Sequence, residues 1–216
     1  MTYRAGDETK ERIIQEAKEL FFRYGYANTT YNQLATRAHV QLSTITYHFG
    51  SLEKLALYVY KEIIEERNRV FDQKFQAAFP DAPVPAQVFL SSRALLDTYL
   101  RYPNYARFAA ELSQKSEIWE SVHFSTNVEK LCAYYKVTWT EDEKILFSIL
   151  FLPFFTHVTN MKCASELEKD QIWRYYVEAQ LRMLKVSKKE TVSLLRSLEP
   201  IKDAIQIKVS KCFAFS

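Results

Sequence analysis

The sequence predicts an all-α protein: a compact unit of short helices at the amino terminus, joined by one long helix to a larger helical domain. Three observations carry that expectation. The 216 residues hold only 3 glycines and 6 prolines, too few for the turns of a β-sandwich or for a Gly-rich phosphate loop. Apolar residues recur at spacings of three and four through most of the chain, the period of a helix with one buried face. Several of these stretches open on a Ser or Thr followed three residues later by Glu or Gln, the reciprocal cap of a helix start.

The elements follow in order. Residues 8–24 place Ile13, Ala17, Leu20, Phe21 and Tyr24 on one face, and Gly25 stands where a helix stop accepts left-handed backbone. Thr30 and Gln33 form a capping box for a helix of about 31–38 that buries Leu34, Ala35 and Ala38. A turn at His39 and Val40 leads to a second short helix, about 42–48, closed by Gly50. Ser51 caps a long helix, 52–79, which Pro80 ends. The proline-rich stretch 80–85 is a linker, and helices are expected at about 85–101, 103–114 and 117–136. Capping boxes at Thr140, Ser165 and Ser187 start helices of about 141–163, 166–186 and from 188 onward. After Pro200, a last segment puts Ile201, Ala204, Ile205, Lys208, Val209, Cys212 and Phe213 on one helical face.

Two short helices joined by a turn of a few residues, behind a first helix, are the helix-turn-helix plan. In that plan the second of the pair enters the DNA major groove, where small and polar side chains reach phosphates and base edges. Leu42-Ser43-Thr44-Ile45-Thr46-Tyr47-His48 suits the role. Ile45 and Phe49 hold the helix to the core, and the hydroxyl-bearing residues stay outside.

These residues also carry a resemblance. The run Leu20 to Thr30, then Leu34-Ala35, Ala38, Val40, Thr44 and Tyr47-His48-Phe49-Gly50-Ser51-Leu52-Glu53-Lys54-Leu55, resembles the TetR family of bacterial transcriptional regulators. The resemblance covers about a quarter of the chain. It implies an all-helical homodimer with an N-terminal three-helix DNA-binding domain, residues 7–67 with the helix-turn-helix at about 31–50, and a C-terminal helical domain, 68–216, for effector binding and dimerisation. It implies that Thr30, Tyr31, Asn32 and Gln33 face DNA, that Ser43, Thr44, Tyr47 and His48 contact phosphates, and that Leu42 and Thr46 lie nearest the base edges. Tyr3 and Arg4 are candidates for a minor-groove arm. The chain departs from the family pattern at His39 (usually Gly), Gln41 (often Ser), Ser43 (usually Gly), Thr46 (usually aromatic) and Leu52. Leu52 replaces a lysine that meets the DNA backbone; Lys54, about 200° further round the helix, is the candidate substitute.

Function in the C-terminal part is less marked. The helix 141–163 is apolar nearly all round, so partners are expected on every side. Together with 166–186 it suits a four-helix bundle with its two-fold mate. The expected dimer residues are Phe147, Phe155 and Val158 with Trp173, Val177 and Leu181, and Pro153 is expected to kink the first helix. Residues 99–176 are rich in aromatics, and Tyr99, Phe108, Trp119, His123, Phe124, Phe151 and His157 are candidates to line a pocket for an apolar or aromatic effector. The expected function is a homodimeric repressor released from a palindromic operator by such an effector. An effector-independent architectural or assembly factor on DNA is the alternative.

Other classes are disfavoured. No Ser-His-Asp order, metal cluster or phosphate loop supports an enzyme. His123 and His157 lack the Cys/His neighbours of a zinc site, and no cofactor is expected. The cysteines Cys132, Cys163 and Cys212 are odd in number and form no CxxC pair, which fits reduced thiols in a cytoplasm. The longest nearly pure apolar run, 145–155, is too short for a membrane span. The net charge of +3 is too mild to announce a nucleic-acid partner by itself. The basic tail 201–213 could lie on a membrane surface if helical, but packing on the subunit core is the stronger expectation.

Overall fold

The computed structural model describes residues 2–113, 126–151, 153–160 and 168–216, without the side chains of 2–5, 126, 148 and 158–160. The described elements are helical apart from one isolated antiparallel bridge, Val209 with Phe215. The head is built from α1 (Thr2–Tyr24), α2 (Tyr31–Ala38), α3 (Leu42–Phe49) and the start of α4 (Leu52–Ala78). Its core is Ile13, Ala17, Leu20 and Phe21 of α1, Leu34 and Ala38 of α2, Ile45 of α3, and Leu55, Ala56 and Val59 of α4. The long α4 then leaves the head and forms one wall of the second domain.

That domain contains α5 (Val84–Arg101), α6 (Pro103–Ser113), α7 (Thr126–Tyr135), α8 (Glu141–Phe151), α9 (Phe154–Asn160), α10 (Lys169–Met183) and α11 (Lys188–Leu198). Its centre is α5, which touches α4, α6, α7, α9, α10 and α11. Thirteen of its eighteen residues are buried, Ser91, Ser92, Arg93, Asp97 and Thr98 among them. Arg93 is sustained there by Asp170 and Asp203, with its guanidinium over the Trp173 ring. Lys169 joins Asp97 and Asp203, each at 3.0 Å, so one ionic network ties α5 to α10 and to the chain beyond α11.

Three expectations need correction. The helix expected over 141–163 is two helices, α8 and α9, separated around Pro153, whose ring removes an amide and obstructs the preceding turn. The α8 helix is not covered on every side: Ile145, Leu146, Ile149 and Leu150 are exposed, and Phe147 and Phe151 face inward. The helix surrounded on all sides is α5.

The tail after Pro200 is not an amphipathic helix. A 3-10 turn at Glu199–Ile201 gives way to extended chain, and a second turn, Lys211–Phe213, folds it back so that Lys208 and Ser216 exchange backbone hydrogen bonds. The hook presses Phe213 against Phe22 of α1 and Phe108 of α6, with ring centroids 5.2 and 5.0 Å away. The tail thus packs on the protein itself. Alternation of Ile205, Ile207 and Val209 inward fits its extended form.

Candidate functional site

The α2–α3 pair is positioned by local chemistry. Thr30 Oγ1 accepts the Gln33 amide at 3.3 Å, and the Gln33 side chain accepts the Thr30 amide at 2.8 Å, so the expected capping box is present. At the end of α2, His39 takes left-handed backbone, φ 52°, and Val40 donates to the Ala35 carbonyl. Histidine thus fills the position the family gives to glycine, at a modest steric cost. Arg12 Nε adds a hydrogen bond to the Ala38 carbonyl at 2.9 Å, securing the end of α2 to α1. Gln41 opens α3 with no side-chain cap, as its weak capping chemistry implied.

Only Ile45 of α3 is buried. Leu42, Ser43, Thr46 and Tyr47 are exposed, Tyr47 at 85%, while Thr44 and His48 are partly exposed. The Tyr47 and His48 rings meet edge-on at 5.2 Å and form one aromatic ledge. Thr46 Oγ1 donates back to the Leu42 carbonyl, which leaves its methyl group outward. Leu42 and the Thr46 methyl therefore offer apolar contact suited to a thymine methyl, while Ser43 and Tyr47 offer hydroxyls. Asn32 is exposed at the start of α2. The Tyr31 hydroxyl accepts the Leu52 amide at 2.7 Å, so Tyr31 braces α4 against α2. Ser51 caps α4 through the Lys54 amide, and the Lys54 side chain is exposed. Arg37 is spent within the head on Glu16 and Glu19.

Residues 13–59 match the family model of bacterial regulatory proteins, tetR family. This stretch of the chain, about a fifth of its length, is thus similar to the amino-terminal domain of the TetR family. Its α2–α3 pair is that family's DNA-binding helix-turn-helix. The regulator TcmR of Streptomyces glaucescens is 43% identical over 49 residues, 23% of this chain and 22% of that protein. The repressor NicS of Pseudomonas putida is 29% identical over 105 residues, 48% of each. The matches thus span about half or less of these curated relatives. Fold similarity reaches further. The structure of RolR with resorcinol superposes with a TM-score of 0.68 at 16% identity, covering 96% of this chain and 100% of that one. The multidrug binding protein EbrR with imidazole gives 0.53 at 17%, covering 84% and 92%. No described helix is long and apolar enough to cross a membrane.

The C-terminal candidates fall into three groups. Tyr99 and Phe108 are buried beside Tyr105 and Tyr60, with ring centroids 5.3 Å apart for Tyr99 and Tyr105 and 6.1 Å for Tyr60 and Phe108. Phe151 belongs to a second cluster with Phe147 and Tyr176, 4.6 and 5.6 Å away. His157 is exposed on α9, its ring beside the Thr156 hydroxyl. Trp119, His123 and Phe124 lie outside the described residues, as do Cys163 and the side chain of Val158.

The residues expected to meet a second subunit are instead committed to their own. Phe147, Phe155, Trp173, Val177 and Leu181 are all buried. The Trp173 indole N–H donates to the Phe89 carbonyl at 3.0 Å, and α10 lays this stripe on α5. The apolar surface left over is the opposite one: Leu146, Ile149 and Leu150 on α8 and Tyr175 on α10.

Sequence reasoning missed the joint between the domains. Arg107 of α6 donates to the carbonyls of Phe22 and Arg23, at 3.2 and 3.0 Å, at the end of α1. One turn on, Glu111 accepts the amides of Tyr26 and Ala27. The carbonyls are end groups that a helix stop leaves without partners, and the amides belong to the turn just beyond it. Gly25 sits between them with φ 82°, where a Cβ would stand 2.6 Å from the Glu111 carboxylate. The only hint in the sequence was the i, i+4 spacing of Arg107 and Glu111, which looks like any surface pair.

Proposed function

We propose that the protein is a homodimeric repressor that leaves a palindromic operator when a small aromatic molecule binds its C-terminal domain. The exposed, mostly uncharged face of α3 is the observation that carries the DNA-reading part, because a helix held by Ile45 and Phe49 leaves Leu42, Ser43, Thr46 and Tyr47 free for a groove. Two copies related by a two-fold axis would place two such helices in successive major grooves, roughly 34 Å apart. The exposed stripe Leu146, Ile149, Leu150 and Tyr175 is the surface for the second copy. Effector binding would act through α6, whose Arg107 and Glu111 hold the end of α1, and through Phe213, wedged between α1 and α6.

The test is recovery of bound fragments from fragmented genomic DNA by the full chain. The expected product is a palindromic site bound by two copies. Recovery of fragments without a shared motif would favour an architectural role. Ile149→Glu is expected to yield monomers in light scattering and to weaken operator binding at least about tenfold, since each half-site then binds alone. A variant that remains dimeric would refute this choice of face.

A further inference from the structure

The second domain buries two arginines, and they are treated differently. Arg93 has Asp170 and Asp203. Arg67, on α4, is 6% exposed, yet among the described residues no carboxylate pairs with it. Its Nη1 reaches the Ser91 carbonyl only at 3.4 Å, and its Nη2 donates to Asn68, the next residue in the chain. A buried guanidinium without a counter-charge is costly, so its environment is informative.

The surroundings supply donors. The charge of Arg67 bears on four phenols, the buried Tyr60 of α4, Tyr99 of α5 and Tyr105 of α6, and the partly buried Tyr176 of α10. The Tyr99 hydroxyl lies between those of Tyr60 and Tyr105. Burial pushes all four phenols up, Tyr176 to about 12, so each keeps its proton at neutral pH. A guanidinium and several phenol O–H groups form a set rich in donors and poor in acceptors, complementary to a carboxylate. The aromatic walls at Tyr99, Tyr105 and Phe108 suit a ring attached to it.

We infer that the effector is an aromatic carboxylate whose charged oxygens pair with Arg67. This rests on the effector-release reading above and gives that effector its chemical class. It also gives the signal an entry point, since Arg67 stands on the helix that continues into the DNA-binding head.

The test uses the full chain and three acids (benzoate, salicylate and 4-hydroxybenzoate), each against its neutral amide, by calorimetry and thermal shift. At least one acid is expected to bind at least about tenfold more tightly than its amide, the scale of a charged hydrogen-bonded contact. Arg67→Met is expected to fold with an equal or higher Tm and to lose that preference. A purely structural arginine would leave the preference unchanged. If Arg67→Met does not fold, Tyr99→Phe replaces it, with a several-fold loss of acid binding expected. Amides that bind as well as acids, a preference that survives Arg67→Met, or no acid binding below ~1 mM would overturn the inference. An acid that binds through Arg67 but leaves the operator complex intact would instead count against effector release alone.

Discussion

The helices α3 and α5 are opposite solutions within one chain. The first buries a single side chain, and the second buries thirteen and reaches six other helices. Stability is therefore concentrated away from the DNA-reading surface, and the reading helix contributes mainly Ile45, with Phe49 packed beside it. The difference teaches that a surface free for DNA can be held on a short element because the neighbours fix its position: His39 sets the turn, Tyr31 braces α4, and Arg12 secures α2.

The contrast breaks most visibly at Arg93. Arg93→Ala would leave Asp170 and Asp203 without their buried partner, at an expected cost of about 2–4 kcal/mol. That is below the figure for a wholly buried pair because both carboxylates are half exposed. Chemical denaturation with a constant slope checks it. The same network gives a pH dependence. Burial raises the Asp203 carboxyl, but the hydrogen bonds and charges of Arg93 and Lys169 outweigh it and hold the group at about 2. Its contribution is complete above the ordinary carboxylate range near 4 and disappears as pH falls from about 4 towards 2. An acid titration of Tm should be steeper in that window for the native chain than for Asp203→Asn.

Smaller effects sharpen the comparison at the head. Gly25→Ala forces left-handed backbone on a residue with a Cβ and drives the Glu111 carboxylate off the Tyr26 and Ala27 amides. The expected loss is about 1–3 kcal/mol, with weakened effector response in a DNA-release assay. His39→Gly should stabilise by about 0.5–1 kcal/mol, because glycine accepts φ 52° without strain but loses more entropy on folding. Smallest of all, Tyr47→Ala should change stability by no more than about 0.5 kcal/mol, since its side chain is almost wholly in solvent.

The head was readable because its signals are local. Gly25, the Thr30 and Gln33 box, Ser51 and the Ile45 spacing each fix a backbone feature within a few residues. The second domain was read correctly as helical, but its faces were not. Trp173, Val177 and Leu181 on one side of α10 and Ile172 and Tyr175 on the other are all apolar or aromatic, so periodicity alone could not tell core from surface. Burial against α5 decides it. The tail misled for a related reason: Ile205 and Val209 sit four apart, compatible with a helix, while Ile207 between them marks the alternation of extended chain. The joint at Arg107 and Glu111, and the unpaired charge of Arg67, depend on contacts between distant segments that no spacing announces.

The central claim is that the outer face of α3 reads DNA while contributing almost nothing to folding. Fluorescence anisotropy of the recovered operator fragment, titrated with the native chain and with the double variant Tyr47→Ala, His48→Ala, tests it most directly. The expected result is a loss of affinity of about tenfold or more at unchanged Tm. Native affinity in the double variant would contradict the placement of α3 in the groove.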